Sequence, residues 1–258
     1  MKKILLLKYL SIHYPQMKRD ELLARILCGE VFVDAGCIRD PKYPVLPSQT
    51  ISIHPPKKYV SRGGEKLHHA LDAFSLDVAG KACIDAGSST GGFTDCLLKH
   101  GAIHVYSVDV GYCQLDYVIR KNPAVTVLER TNIMQLKIDQ FPVCPNIAVM
   151  DLSFRSVRGA ARHLLDIVSD KTLVALVKPQ FEWKNPDESF TGVIDSSQTL
   201  HDILIPLAES LFREKTYITR ATESPIKGKK GNREFFFLLS NEQSAGINEI
   251  KKEIVTLL

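Results

Sequence analysis

The stretch Ile84-Asp85-Ala86-Gly87-Ser88-Ser89-Thr90-Gly91-Gly92-Phe93 decides how this chain folds, because an apolar run ends there in an acid and then breaks into small residues. A second apolar run with an acidic end, Val105-Tyr106-Ser107-Val108-Asp109, follows about one helix later. Strand, glycine turn, helix and a strand ending in an acid is the arrangement by which a doubly wound α/β sheet holds a nucleoside. The tight turn lets backbone approach the ligand, and the second acid reaches ribose hydroxyls.

Working outward, apolar runs place further strands at Val125 to Leu128, Asn146 to Asp151, Thr172 to Lys178, Tyr217 to Glu223 and Glu234 to Ser240, beside Ala82 to Asp85 and His104 to Asp109. Helices separate most of them, but only the loop Ser224 to Arg233 joins the last pair, so the final strand is expected to run antiparallel. The fold class is therefore α/β, a Rossmann-like seven-stranded sheet. Gly87 is followed by Ser88 and the glycines return only at Gly91-Gly92, which excludes the G-x-G-x-x-G spacing of dinucleotide dehydrogenases. The turn suits S-adenosylmethionine, which has no pyrophosphate to cradle on a helix N-terminus. Ile247 to Leu257 closes the chain as an amphipathic helix expected to pack on the sheet.

The 258 residues, 45% apolar and 24% charged, suffice for one sizeable core plus a small accessory domain. Six cysteines form no C-x-x-C pair, no metal site is expected, and a reduced, cytoplasmic setting fits. The Ile4 to Leu7 run is too short for a secretion signal, and no stretch approaches the ~18 apolar residues of a membrane span. Positive charge gathers at the front: Met1 to Lys58 carries ten basic residues against five acidic, and the remainder is nearly neutral. Such a front segment suits a polyanion, although surface lysines also cluster by chance.

Residues 1–56 read as a separate unit, with helices over Lys3 to His13 and Lys18 to Leu27, a strand at Val31 to Val33, a turn at Asp34-Ala35-Gly36, and a strand at Thr50 to Ile53. Two helices and a small sheet, with Lys18-Arg19 ahead of the second helix, resemble the S4 RNA-binding domain; the turn departs from the usual Asn-Gly. Pro55-Pro56-Lys57-Lys58 is a stiff connector, and 57–64 is taken as linker ahead of a domain over 65–258.

At the carboxyl ends of the strands stand Asp85, Asp109, Asp151 and Lys178. A lysine that ends an apolar strand and precedes proline is costly to bury unless paired, or else it snorkels to water. Lys66 taken alone is a solvated helix lysine. Together Lys66, Asp151, Lys178 and Glu234 are similar, in order and context, to the Lys-Asp-Lys-Glu tetrad of FtsJ-like ribose 2′-O-methyltransferases. The motifs Ser61-Arg62-Gly63-Gly64-Glu65-Lys66-Leu67, Gly87 to Thr94, Asp151-Leu152-Ser153-Phe154, Lys178-Pro179-Gln180-Phe181-Glu182 and Ser224-Pro225-Ile226 to Glu234 make the whole chain resemble the TlyA family.

That resemblance implies 2′-O-methylation of cytidine in ribosomal RNA or ribosomal subunits, with S-adenosylmethionine as donor. Lys178 is then the base for the ribose hydroxyl, Asp151 orients it and touches the donor, and Lys66 and Glu234 position the ribose. Donor contacts are expected from Asp85, Gly87, Ser88, Ser89, Thr90, Gly91, Gly92, Phe93, Asp109, Asn132 and Asp151, Asn132 being equally an ordinary cap. RNA contacts are expected from Lys18, Arg19, Lys57, Lys58, Arg62, Lys227, Lys229, Lys230 and Arg233. Phe154, Phe181 and Trp183 either stack a flipped base or pack. The family is also described as haemolysins, so a membrane-active protein is the competing reading, with a catalytically silent RNA-binding assembly factor as a third.

Overall fold

The structure, a computed structural model, describes residues 3–54, 58–153, 155–183, 190–194 and 196–258; Lys57 and Phe154 lie outside the described residues. The chain divides into two compact units, Met1–Lys57 and Lys58–Leu258.

In the first unit, helices Leu6–His13 and Arg19–Leu27 bury Leu6, Leu10, Leu22 and Ile26 with Val31, Val33 and Val45. Strand Val31–Val33 lies between Gly36–Cys37 and Ile51–Ile53, antiparallel to both. The first helix starts later than the periodicity from Lys3 suggests. Ile4–Leu5 pairs as a short strand with Pro44–Val45 instead. The adjoining segment then accepts from the first helical N–H groups, Leu6 N to Tyr43 O at 2.8 Å and Leu7 N to Pro41 O at 3.1 Å. Asp34 carries the turn at φ 54°, and its carboxylate accepts from Thr50 N (3.0 Å) and Gln49 Nε2 (2.9 Å). Those bonds hold a non-glycine residue in the left-handed region.

The second unit runs α1 (Arg62–Phe74), β1 (Ala82–Ala86), α2 (Gly92–Lys99), β2 (His104–Val108), α3 (Tyr117–Arg120), β3 (Val125–Leu128), β4 (Ile147–Met150), α4 (Ala160–Ile167), β5 (Thr172–Val177), α5 (Pro179–Glu182), α6 (Ser197–Arg213), β6 (Tyr217–Glu223), β7 (Phe235–Ser240) and α7 (Ile247–Leu257). The sheet order is β6-β7-β5-β4-β1-β2-β3. Only β7 runs antiparallel to its neighbours, β5 and β6, as the short loop before it requires. One face of the sheet is covered by α4, α6 and α7, through Leu164, Leu204, Leu207 and Ile250 packed with Ile84, Met150 and Phe237. The other face is covered by α1 and α2, through Leu67, Leu71 and Leu97 packed with Cys83, Val149 and Phe236. Each such fully buried side chain is worth about 1.5–3 kcal/mol.

The topology fixes where a ligand can sit. The chain steps from β1 outward to β2 and β3, then returns to β4 on the other flank of β1. Connections therefore diverge at the carboxyl ends of β1 and β4, where open α/β sheets hold ligands. Because β7 is antiparallel, its first residue reaches the same edge: Phe235 pairs with Val177 at the end of β5.

One boundary is corrected. Helix α1 begins at Arg62, inside the stretch 57–64 expected as linker, because Ser61 caps it and accepts from Gly63 N at 3.3 Å. Among the described residues no helix is long and apolar enough to cross a membrane.

Candidate active site

Three strands of the edge, β2, β4 and β5, end just short of their charged residues. β4 stops at Met150 and β5 at Val177, leaving Asp151 and Lys178 as the next residues. Pro179 has no N–H to extend the ladder and occupies the first position of α5, so Lys178 becomes the helix N-cap at the sheet edge. Its Nζ lies 2.6 Å from Asp151 Oδ1, as an ion pair lying off the angle of a hydrogen bond, and donates to Ser153 Oγ at 3.2 Å. The Lys178 side chain is 12% exposed and Asp151's 26%.

A second pair joins residues 168 positions apart. Lys66 lies on the buried face of α1, and its Nζ donates to Glu234 Oε2 at 2.5 Å. The two side chains are 10% and 4% exposed, so Lys66 is no solvated helix lysine. Burying either charge alone would be costly; paired and hydrogen-bonded, they sit together. Thus the four tetrad residues form two close ion pairs, one just past the ends of β4 and β5, the other tying α1 to the start of β7.

The glycine turn is held by protein contacts. Gly87 and Gly91 adopt φ +89° and +90°, a region in which L side chains are strained. A Cβ on Gly87 would overlap the Asp151 carbonyl, and one on Gly92 would overlap Ser61 Oγ and the backbone of Gly63 and Gly64. Gly92 therefore lets the first turn of α2 pack closely against the start of α1, while Gly64 makes room for the Tyr59 ring and Gly91 for Leu115. The side chain of Phe93, expected as a donor contact, packs in the core, 3% exposed, beside Phe236 with ring centroids 6.1 Å apart. An aromatic in the first turn of α2 faces the sheet, where it packs in one cluster with Val149 and Phe236. Ser88 is also buried, whereas Ser89 and Thr90 are exposed at the tip.

Asp109 follows β2 and is half-buried. Its carboxylate accepts from Ser89 N and Gly111 N, both at 2.7 Å, while Ser89 Oγ donates to Gln114 Oε1 at 3.3 Å. Asn132 is exposed and spends its side-chain oxygen capping the following turn, accepting from Met134 N at 3.0 Å. Asp85 lies within β1 and is fully buried: Oδ2 accepts from Thr94 Oγ1 at 2.6 Å, and Oδ1 has no partner. Burial pushes its carboxyl up to about 7, against the Thr94 bond that lowers it. The charges of Asp151 and Asp109 add to the rise.

That shift has a sign that can be checked. Between about pH 4 and 7 the folded state holds a proton on Asp85 that the unfolded chain has released, so stability falls as pH rises through this window and levels off above it. Asp85→Asn removes the titration. Urea unfolding should show the variant gaining on the wild type by a few kcal/mol in total between roughly pH 4 and 7. A difference that stays constant with pH would refute the protonated Asp85.

The other expected residues divide. Lys18 and Arg19 are exposed at the start of the second helix of the first unit, and Lys58, Arg62, Lys227, Lys229 and Lys230 are exposed in the second. Arg233 is turned inward: Nε and Nη2 donate to the two carboxylate oxygens of Glu223, each at 2.7 Å, which holds its guanidinium firmly protonated. The guanidinium also donates to the carbonyls of Leu257 (2.5 Å) and Leu258 (3.4 Å) and lies over the Phe235 ring, 5.4 Å from its centre. Trp183 packs edge-on against Phe190 with ring centroids 4.9 Å apart, and Phe181 has its ring centre 5.9 Å from Lys178 Nζ.

Sequence reading left out Ser153, Thr94 and Asn232, although all three stand inside motifs it quoted. A further cluster, His68, Asp72 and His100, offers ligand atoms within 4.8 Å of one another. Its nitrogens are engaged in a chain from Lys58 Nζ through His68 and His100 to the Cys96 carbonyl, with steps of 2.7, 2.9 and 2.8 Å.

A sheet of this order, with a glycine turn at its switch point and no dinucleotide spacing, is a Rossmann-like sheet. The FtsJ-like methyltransferase model matches residues 59–241, and the chain belongs to that family. It is 38% identical over 216 residues to "Hemolysin A" of Brachyspira hyodysenteriae, covering 81% of this chain and 88% of the relative. It is 38% identical over 193 residues to the "16S/23S rRNA (cytidine-2'-O)-methyltransferase TlyA" of Mycobacterium tuberculosis, covering 74% and 72%. Among solved structures, a "Putative hemolysin from Streptococcus thermophilus" superposes with a TM-score of 0.73 at 30% identity, covering 100% of this chain and 96% of that one.

Proposed function

We propose that this chain transfers the methyl group of S-adenosylmethionine to the ribose 2′-hydroxyl of a cytidine in ribosomal RNA, acting in the cytoplasm. The observation that carries the reading is the convergence of the pairs Lys178–Asp151 and Lys66–Glu234 on the sheet edge that bears the Gly87 turn. The likeness to a ribosomal RNA cytidine 2′-O-methyltransferase supports the choice of acceptor.

The residues present fit such a donor. Asp109 offers a half-buried carboxylate that accepts from the backbone N–H groups of Ser89 and Gly111, suited to ribose hydroxyls. Asp85 has a buried oxygen without a partner, to which an ammonium group would bring one. When bound, the donor supplies a methyl group on a sulfonium, already activated for in-line transfer. A ribose hydroxyl is a weak nucleophile, so Lys178 Nζ, after giving up to water the ammonium proton it holds against Asp151, would take the hydroxyl proton as the ribose oxygen accepts the methyl group. Asp151 and Ser153 aim that amine, and Lys66 with Glu234 positions the ribose. Alignment of the two reactants provides most of the acceleration.

RNA is held by exposed basic residues. Lys18 and Arg19 stand at a helix N-terminus, where their charge opposes the helix dipole and adds nothing to stability. A phosphate bound there gains both the dipole and the cations. In the second unit Lys58, Arg62, Lys227, Lys229 and Lys230 serve as phosphate contacts. Replacing Lys227, Lys229 and Lys230 with alanine should weaken RNA binding and flatten its salt dependence by about 0.7–0.9 in slope per lost contact. Filter binding at several salt concentrations measures this; an unchanged slope would remove the loop from the RNA path.

Incubation with labelled donor and each ribosomal subunit, followed by mass spectrometry of the modified nucleotide, tests the proposal as a whole. A methylated base, or no product on either subunit, would overturn it. The relatives named as hemolysins favour a second reading, a membrane-active protein. Dose-dependent liposome leakage that survives Lys178→Ala would support that reading.

A further inference from the structure

We infer that Asn232 and Arg233 are positioning residues that set Glu234 against Lys66, and that the last turn of α7 and the 192–194 segment are the supports they pull against. This inference rests on the proposed role of Glu234, and goes beyond it by assigning the two residues before it and moving Arg233 from the RNA surface into that brace.

Glu234 stands just before β7, at the end of a ten-residue connection rich in glycine and lysine, a poor platform for a group that must hold one orientation. The connection is not left loose. Arg233 grips Glu223, at the end of β6, through two parallel bonds of 2.7 Å, the bidentate geometry that only guanidinium provides. The same guanidinium donates to Leu257 O at 2.5 Å and Leu258 O at 3.4 Å, carbonyls that the helix α7 leaves without intrahelical partners. Ser197 Oγ donates to Leu258 O at 2.8 Å, and α7 is itself seated by Ile250 and Ile254 in the core. A cation at a helix C-terminus is favoured by the dipole, so this support adds stability where Lys18 and Arg19 do not.

On the other side, Asn232 is 3% exposed. Its Oδ1 accepts from Ile194 N at 2.8 Å and its Nδ2 donates to Gly192 O at 2.7 Å. Its own carbonyl accepts from Gly228 N at 2.9 Å, folding the loop back on itself. The Glu234 carbonyl accepts from Ser224 N at 2.8 Å, which closes the loop at its base. A Cβ on Gly228 would come within 2.5 Å of Glu234 Oε1, so the folded loop also covers the carboxylate. Two consecutive residues thus spend their polar atoms on opposite supports, and the next side chain reaches Lys66 at 2.5 Å. Misplacing a reacting or positioning group by about 1 Å costs on the order of 10²-fold in rate, which is the scale of effect such a brace protects.

The test compares kcat, KM for RNA and the salt slope of RNA binding in Arg233→Met, Arg233→Lys, Glu223→Gln and the exchanged pair Arg233→Glu with Glu223→Arg, with Glu234→Gln as reference. As a positioning residue, Arg233→Met and Glu223→Gln both lower kcat by roughly 10- to 100-fold with KM and salt slope unchanged. Arg233→Lys recovers part of the loss, and the exchanged pair recovers more than either single change. As a phosphate contact, Arg233→Met raises KM and reduces the salt slope by about 1 with kcat intact, and Glu223→Gln has no effect; that result overturns the inference. Asn232→Asp keeps the acceptor for Ile194 N and loses the donor to Gly192 O, giving a second, milder lesion should Arg233→Met fail to fold. Wild-type kcat in both Asn232→Asp and Glu223→Gln, with Glu234→Gln impaired, also overturns it. Wild-type kcat in Glu234→Gln would instead remove the role of Glu234 on which the inference stands.

Discussion

Replacing Lys178 with alanine should lower the rate of methyl transfer to ribosomal RNA by roughly 10³-fold, within the range that general-base catalysis contributes, while leaving donor binding nearly intact. The separation of the two effects follows from where the lysine stands. Its Nζ touches Asp151 and Ser153 at the sheet edge, whereas the turn from Gly87 to Gly91 and the Asp109 carboxylate are held by bonds that do not involve it. Single-turnover rates at saturating donor, beside donor dissociation constants from calorimetry, measure both quantities. Asp151→Asn is the companion variant: with its charge gone but its shape kept, the amine loses its aiming partner, and the rate should fall less than in Lys178→Ala. Methylation by Lys178→Ala at the wild-type rate would sink the assignment of the base.

The frame around these residues is legible in the chain because its signals are local. Val125–Leu128 and Tyr217–Glu223 are strands with the bounds their apolar and β-branched runs suggest, and the short loop after Glu223 is enough to turn β7 antiparallel. The charged strand ends are legible too, because a lysine after five buried residues or an acid before a glycine turn conflicts with its surroundings unless it has a task. What the sequence could not show is which charge answers which. Lys66 and Glu234 are 168 residues apart, and nothing near either one names the other. Arg233, read among Lys227, Lys229 and Lys230, looked like one more loop cation; its inward turn depends on Glu223 across the hairpin and on carbonyls of α7. Phe93 misled in the opposite way, since its place in the glycine motif suggested a ligand while its place in the helix turn put it in the core. At the front of the chain, Ile4–Leu5 has the period of a helix and forms a strand, because Pro44–Val45 supplies a ladder partner that local pattern cannot foresee.

Lys66→Met should destabilise the protein by about 3–5 kcal/mol, the usual cost of stripping one partner from a buried ion pair, and should also depress methyl transfer. The carboxylate of Glu234 is 4% exposed, so without Lys66 it must stay charged and unpaired, take up a proton, or break out of the loop that folds over it. Glu234→Gln leaves the lysine in the same position and carries a similar penalty. The double variant Lys66→Met with Glu234→Gln removes both charges, and urea unfolding should show most of the loss restored, because a neutral pair of similar volume has no charge to desolvate. Activity should not return with stability: if the pair positions the ribose, the double variant stays impaired by roughly 10²-fold or more despite its recovered fold. Equal recovery of stability and activity would make the pair structural only, and single variants as stable as wild type would mean that the two charges are not jointly buried in solution. The design separates what holds α1 to the start of β7 from what the same two side chains do to a substrate, a distinction that neither single substitution can make.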